Sequence, residues 1–511
     1  MAAIITEKFR QASADSFKAS FGTDKYYLFV GKSQPWTSEG ATSDSLPPAP
    51  VDSVAPEAYY WDDMLAAKLI GTTNTSFAIP RRNYTTTTAF DMYRHDISGA
   101  TTAGQYPTKT TTTSGATNLY DSTYYFITDA NRVYKVLYNG DPLQTGASNI
   151  SGSAPTLEST NPFWHDANYY LKYMYKLDTS QTQNFLTTDF MPVSINANSA
   201  ANRPINVVMV TSGGSGYPTT GGDSTGSLDG STFYTKVRGD GSTTAIIRLK
   251  VTGGVIQEFG DGNTKTGMQN AGVGYTFASV DLSAANIFSN SGATTAITGA
   301  TATDWTNATA GAIYPMIEPA GGHGANDIEE LGGHFVMVQG KFEPVDSDAT
   351  QVNDFRRVGI VKNPTADGSA ASDATARTTN ALRIAGSITT NYQVDEKITQ
   401  ATTGAQGRVI EWDAANKTLF YVQEKYSSYG LDASGNLVAF STAAAVTGSS
   451  SSASYSVDTS HSTTTNGVVF NGGYATPELD RDSGQIIYVE NRRAISRAAD
   501  QTEDIKVVVE Y

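Results

Sequence analysis

The chain has 511 residues, enough for several cores, with a net charge of −15 and 47 glycines. That charge, with no basic stripe against it, excludes DNA or RNA as a partner, because phosphate contacts need clustered Lys and Arg. There is no cysteine, which excludes disulfides, thiolate catalysis and cysteine metal sites and fits production in a reducing cytoplasm. No apolar run approaches the roughly 20 residues that span a bilayer, and the polar start lacks a signal-peptide core. A soluble protein, not exported by the usual route, is expected. Polarity comes mostly from Thr, Ser, Asn and Gly, and abundant Thr and Tyr point to a mainly β chain with many turns.

Residues Ile4–Phe21 read as a helix, with Phe9, Ala12, Phe17 and Phe21 among polar neighbours. Lys25–Val30 follows as a strand, then a turn-rich loop holding Pro35 and Trp36. Pro47, Pro48, Pro50 and Pro56 impose an extended path, since proline fixes φ and disfavours helix before itself. Glu57–Ile70 has short helical character, with Trp61, Leu65 and Leu69 one turn apart. Phe77–Tyr84 reads as a strand end and turn. Tyr124–Thr128 and Arg132–Tyr138 form a hairpin around Asp129–Asn131, and Asn168–Leu177 is an aromatic strand.

Composition shifts near residue 200 to Gly, Thr and Ser, with isolated strands Ile205–Val210, Ala245–Val251 and Gly254–Phe259. Two GxGY elements, Gly214–Tyr217 and Gly272–Tyr275, each close a glycine-rich segment and mark turns of a small duplicated β-unit. Apolar character returns from Ile313 to Pro364. A second Ser/Thr/Ala-rich region carries strands Arg408–Trp412 and Thr418–Gln423 and an exposed Ser449–Ser454 loop. The tail holds strands Gln485–Glu490 and Ile505–Tyr511 around a polar connector with Asn491, Arg492, Arg493, Arg497, Asp500 and Gln501. Ile505, Val507, Val509 and Tyr511 share one face, the period-two signature of a half-buried strand. This alternation fits an interrupted core, residues 1–200 with 313–368 and 480–511, carrying two small inserted β-rich domains at 201–312 and 369–479.

Catalytic signals are weak. His323 and His334 lie near Asp327, Glu329 and Glu330, but without HExxH or facial-carboxylate spacing, so a glycine-flanked loop capped by hydrogen-bonding side chains is the expected reading. No GxSxG elbow, phosphate loop or triad order occurs. Arg238-Gly239-Asp240 is a chance tripeptide in a turn, and no full calcium loop is present. No enzyme activity, cofactor or metal is expected. The arginine doublets Arg81-Arg82, Arg356-Arg357 and Arg492-Arg493 each sit beside an apolar run, where guanidinium forks suit interfaces or, equally, the chain's own carboxylates. With Trp36, Tyr169 and Tyr173 they are the candidate interface residues.

Six segments, in order, carry a resemblance: ITEKFR (Ile5–Arg10), YLFVGKSQPWTSE (Tyr27–Glu39), AIPRRNY (Ala78–Tyr84), YYLKYMYKL (Tyr169–Leu177), NDFRRVGIVKNP (Asn353–Pro364) and Ser483–Tyr511. Together they resemble the gene product 8 family, the baseplate wedge subunits of T4-like contractile-tailed phages, with the two Gly/Thr/Ser-rich stretches as insertions of the kind seen in marine members. The resemblance implies a layered β-sandwich core with a few short helices, a homodimer, and a structural role in the virion tail baseplate after synthesis in the host cytoplasm. It also implies contacts with the wedge-arm protein, the peripheral trimeric protein and the ring-forming wedge subunit. A second reading makes the insertions receptor- or carbohydrate-binding modules, with Trp305 and Trp412 as candidate stacking rings.

Overall fold

The computed structural model describes residues 4–52, 59–97, 112–143, 146–195, 202–343, 353–424, 430–496 and 501–511. The fold is mainly β, with helices Glu7–Ser20, Thr179–Phe185, Gly299–Asn307 and Asp327–Leu331 among many short strands. Among the described residues no helix is long and apolar enough to cross a membrane. The chain divides into two compact units, Met1–Ala14 with Phe77–Val336 and Val509–Tyr511, and Asp15–Ser76 with Met337–Val508. The 201–312 stretch falls within the first unit and 369–479 within the second.

The first unit is built on tyrosine. Strands Tyr125–Ile127, Arg132–Asn139, Tyr169–Lys176 and Phe163–Trp164 form an antiparallel sheet in that order. The expected hairpin is present, its turn closed by Asn131 at φ 60°, a left-handed conformation that asparagine tolerates. Tyr124, Tyr134, Tyr138, Tyr169 and Tyr175 are buried here. A buried phenol needs an acceptor to offset its desolvation, and backbone carbonyls supply one to most of these rings, the Tyr138 hydroxyl alone among the five having no partner among the described residues. Tyr124 donates to Glu330 O (2.7 Å), Tyr125 to Pro80 O (2.8 Å), Tyr169 to Ser148 O (2.7 Å) and Tyr175 to Pro192 O (3.1 Å). These bonds tie connecting segments onto the sheet faces, so hydroxyl placement sets the loop paths as well as the core.

The two GxGY elements adopt one geometry. Gly214 and Gly216 have φ of 62° and 82°, and Gly272 and Gly274 have φ of 65° and 86°. Tyr217 Oη accepts from Gly311 N (2.8 Å), and Tyr275 Oη accepts from Ala245 N (2.7 Å). An antiparallel bridge precedes each bond, Ser215 with Thr309 and Val273 with Thr243. The ladders then continue with a bulge at the same place, between Ala312 and Ile313 opposite Ser212 and Val210, and between Ile246 and Ile247 opposite Asn270 and Met268. In chain order the second copy lies inside the first. A side chain at Gly214 or Gly272 would meet the partner strand's backbone and the tyrosine ring as well as an unfavourable φ. Because each phenol satisfies one otherwise orphaned amide, Tyr217→Phe and Tyr275→Phe should each cost about 1–3 kcal/mol. Urea melts should give similar losses for both; a loss at only one position would show that the copies are not equivalent.

In the second unit, strand Tyr26–Gly31 is central to a five-stranded antiparallel sheet: Thr375–Arg377, Met64–Ile70, Tyr26–Gly31, Phe355–Lys362, Gln485–Ile495. All six residues of Tyr26–Gly31 are buried. Tyr27 and Phe29 pack with Trp61, Met64, Ala67, Val361, Ala376 and Leu479 on one face, while Leu28 lies against Gly340 on the other. Gly359 sits opposite Phe29, whose ring occupies the space a side chain would take, so the glycine is what lets the ring lie across the strand. Three of the six resembling segments, far apart in sequence, are thus adjacent strands. A seven-stranded sheet follows from residues 380–475, with Ala405–Asp413 and Thr418–Val422 at its centre.

Two expectations are corrected. Glu57–Ile70 is not helical through its second half: Met64–Ile70 is a strand between Tyr26–Gly31 and Thr375–Arg377. Its Leu and Ala residues favour helix intrinsically, but Met64–Ala67 are buried between two partner strands, and pairing overrides propensity. The polar connector is also shorter than expected, because the strand Gln485–Ile495 runs on through Asn491, Arg492 and Arg493; Arg497 and Asp500 lie outside the described residues. In Glu503–Glu510 the alternation holds, with Glu503, Ile505 and Val507 buried and Asp504 and Glu510 exposed.

Candidate functional site

The nine sequence candidates separate by exposure. Pro35 leads into the short helical turn Trp36–Glu39, which folds the Trp36 ring inward to 0% exposure. Its Nε1 donates to Arg492 O at 2.7 Å, and its amide donates to Asp44 Oδ1 at 2.9 Å. Arg357 lies 5.5 Å from the Trp36 ring and 4.7 Å from that of Tyr60. Its Nη1 donates to both oxygens of Asp63 (2.8 and 2.6 Å), and Nε donates to Asn491 Oδ1 (3.1 Å). Arg356 forks onto Asp44 through Nε (2.8 Å) and Nη2 (3.0 Å), and Nη1 donates to Ser33 O. The Arg356 guanidinium beside Asp44 holds that carboxyl below its usual range. Adjacent residues on a strand point to opposite faces, so this doublet ties the 33–63 region at two places.

In the first unit Arg81 donates to Thr187 O (2.7 Å) and Asn83 Oδ1 (2.8 Å). Arg82 donates to Tyr120 O (3.1 Å) and lies 4.3 Å from the Tyr125 ring. Tyr169 and Tyr173 are buried in the aromatic sheet, Tyr169 Oη also accepting from Phe90 N (2.9 Å). Arg492 and Arg493 differ. Arg492 is half-buried beside Glu490 (3.5 Å), and Arg493 is exposed, its Nε donating to Ser45 O (3.0 Å).

What sequence reasoning missed is the setting of these last two arginines. Gln485–Ile495 is the edge strand of its sheet, none of its residues is buried, and Ile487 is 42% exposed. A groove of about 420 Å³ runs between Ile486–Val489 and Val51 and Tyr60. Among the described residues no further strand lies beyond it, and a partly apolar edge is a ready template for another chain. Its alternation was readable, but which strands would flank it was not.

The histidine cluster is structural in form. Glu330 accepts from Lys135 Nζ (2.9 Å), Gly324 N (2.7 Å) and Ala325 N (3.0 Å), with His323 Nδ1 at 3.4 Å. Lys135 and Glu330 are 0% and 2% exposed. Burial works to raise the Glu330 carboxyl, but Lys135 and His323 outweigh it and hold the group down at about 2. Burial pushes His323 below its ordinary value, so near neutrality the ring is uncharged. His323 N donates to Glu318 (2.9 Å). His334 stands apart, its Nδ1 3.1 Å from Glu7. Among the described residues no group of His, Asp and Glu has the convergence of a metal site. The cluster closes the 318–330 loop onto the aromatic sheet, where Lys135 resides.

Comparison with known proteins adds a family. Residues 3–132 match the model of the family described as Bacteriophage T4, Gp8, a region holding the first three of the six resembling segments. The baseplate wedge protein gp8 of Enterobacteria phage T4 is 31% identical over 109 residues, covering 20% of this chain and 33% of that protein. The match therefore spans one third of the relative's length. Within that region the resemblance to the T4-like Gp8 family is supported; Tyr169–Leu177, Asn353–Pro364 and the tail lie beyond the matched residues.

Proposed function

We propose that the chain is a structural protein of a phage tail baseplate, a wedge subunit that holds neighbouring subunits and supports tail assembly and the rearrangement that accompanies contraction. The observation that carries this is the Gp8 family match over residues 3–132, with its 31% identical relative. The sheet that joins Tyr26–Gly31, Phe355–Lys362 and Gln485–Ile495 supports it, since resembling segments outside the match are strand neighbours of one inside it. On this reading the protein is not an enzyme, resides in the virion, and works through binding energy at its surfaces.

The finer parts of the reading are a homodimer, partners among the wedge-arm, peripheral trimeric and ring-forming wedge proteins, and 201–312 and 369–479 as insertions on a discontinuous core. A stable dimer would bury more than about 1,000 Å². Of the candidate residues, Arg492 and Arg493 on the open edge strand are the best placed to meet a neighbour, with Arg81 and Arg82 half-buried and the rest committed within the chain. Immuno-electron microscopy of purified virions tests the role: label at the baseplate is expected, and label elsewhere or absent overturns it. Sedimentation velocity at micromolar concentration tests the dimer, which a strict monomer would refute. The second reading, receptor or carbohydrate binding at the insertions, has one groove in its favour, lined mostly by residues 217–312 and completed by Tyr314 of the following stretch, described next.

A further inference from the structure

The two GxGY clamps are alike in backbone but not in what covers the tyrosine. At the second, a glycine turn lies on the Tyr275 ring, close enough that side chains at Gly239 or Gly241 would collide with it. Asp240 in that turn accepts from Thr276 N (2.8 Å), sealing the clamp. At the first, helix Gly299–Asn307 takes the turn's place, and Trp305 packs on Tyr217 with ring centroids 4.6 Å apart. Beside it opens a groove of about 690 Å³. Trp305 is only 3% exposed, and its Nε1 donates to Leu282 O (2.6 Å), so it forms the floor. The small residues Ala308, Ala310 and Gly311 leave that floor open. Tyr314, 39% exposed, forms one wall. Arg238, exposed, and Asp281, half-buried, are paired at 2.6 Å at the rim with Ser279, Ser283 and Thr306, and the Asp281 carboxylate is set in place by Ser283 N (2.8 Å) and Asn286 Nδ2 (2.7 Å).

We propose that this groove is a binding site for a neutral oligosaccharide. Hydroxyl groups, a fixed guanidinium–carboxylate pair and one exposed ring make up its recognition chemistry. An apolar ligand would strand those polar atoms without partners. An anionic ligand would meet a guanidinium already neutralised by Asp281, on a chain of net charge −15. A neutral sugar uses all three: adjacent hydroxyls donate to the carboxylate and accept from the guanidinium, and its C–H face lies against the electron-rich face of Tyr314. The platform is therefore Tyr314, in place of Trp305. Trp412, which packs on Tyr392 at 5.2 Å and donates to Asn391, plays no part. The site makes the second reading above specific and rests on it, and it does not depend on the assembly role.

The test uses the full chain with maltohexaose, cellohexaose and a printed array of neutral bacterial O-polysaccharide fragments, read by saturation-transfer NMR and array fluorescence. At least one neutral probe should bind, and Tyr314→Ala should weaken it roughly tenfold, Arg238→Ala several-fold. Trp412→Phe should leave binding unchanged. Tyr314 and Arg238 are exposed, so both variants should keep the far-UV circular dichroism of the parent. Absence of binding to every neutral probe, binding that survives Tyr314→Ala in a folded variant, or binding confined to an anionic polysaccharide such as heparin overturns the proposal.

Discussion

Glu330→Gln is expected to destabilise the first unit by about 3–5 kcal/mol, the cost of leaving a buried charge without its partner. Glutamine keeps the shape and an oxygen for the Gly324 and Ala325 amides, but the ammonium of Lys135, 0% exposed and 2.9 Å away, loses its counter-charge. The double variant Lys135→Met with Glu330→Gln should recover most of the loss, because no unpaired charge then remains inside. Hydrogen exchange of peptides covering Arg132–Asn139 and Tyr169–Lys176 reads the effect directly. A loss below about 1 kcal/mol in the single variant would mean that water reaches the pair and screens it. The same pair sets an acid limit. The Glu330 carboxyl falls from 4.5 to about 2 in the fold, so its contribution, roughly 3 kcal/mol, is complete above 4.5 and is lost as pH falls toward 2. His323 acts in the same direction at higher pH: burial keeps its folded value below 6.5, so the unfolded chain takes up that proton first. Stability of this unit should therefore begin to fall below about pH 6.5 and fall again below 4.5, and in Glu330→Gln the lower phase should shrink to what Asp166, Asp223, Asp229, Asp240 and Asp281 contribute, whose carboxyls hydrogen bonds also hold below their ordinary values.

Local pattern carried much of this fold. The hairpin at Asp129–Asn131 and the aromatic strand ending at Lys176 were readable because Tyr, Val and Leu alternate with turn residues at their ends. The GxGY pair was readable as a repeat because only glycine suits two positive φ values so close together. What it clamps was not: the amides that Tyr217 and Tyr275 cap belong to strands far along the chain, chosen by nesting. Met64–Ile70 failed for a related reason. Nothing inside MLAAKLI says that strands will flank it on both sides.

The candidate site was less legible. Trp36 stands in a Gly/Pro/Ser-rich loop, a context that suggests exposure, yet two hydrogen bonds and full burial turn it inward. The doublet Arg356-Arg357 could equally serve a neighbour or the chain's own carboxylates, and composition cannot separate them, because Asp44 and Asp63 become partners only through the sheet. Exposure along Gln485–Ile495 depends on its being last in strand order, which is a property of topology.

Removal of the Arg357 guanidinium is the second large effect expected. Arg357 and Asp63 side chains are 5% and 3% exposed, joined at 2.6 Å, and the guanidinium also reaches Asn491 on the edge strand. Arg357→Met leaves the Asp63 carboxylate buried and should cost about 3–5 kcal/mol, whereas Arg357→Met with Asp63→Leu should lie much closer to the parent, since apolar replacement of a whole buried pair is often neutral. The difference measures coupling and leaves aside the worth of either group alone. The edge strand adds a second readout. With Arg357 gone, Asn491 loses its Nε donor, so amides of Gln485–Ile495 should exchange faster in the single variant and, because that bond does not depend on Asp63, stay fast in the double variant even as global stability returns. Equal protection of that strand in all three proteins would show that Arg357 pins Asp63 alone; slow exchange in the parent and fast exchange in both variants would make it the residue that holds the open edge in register.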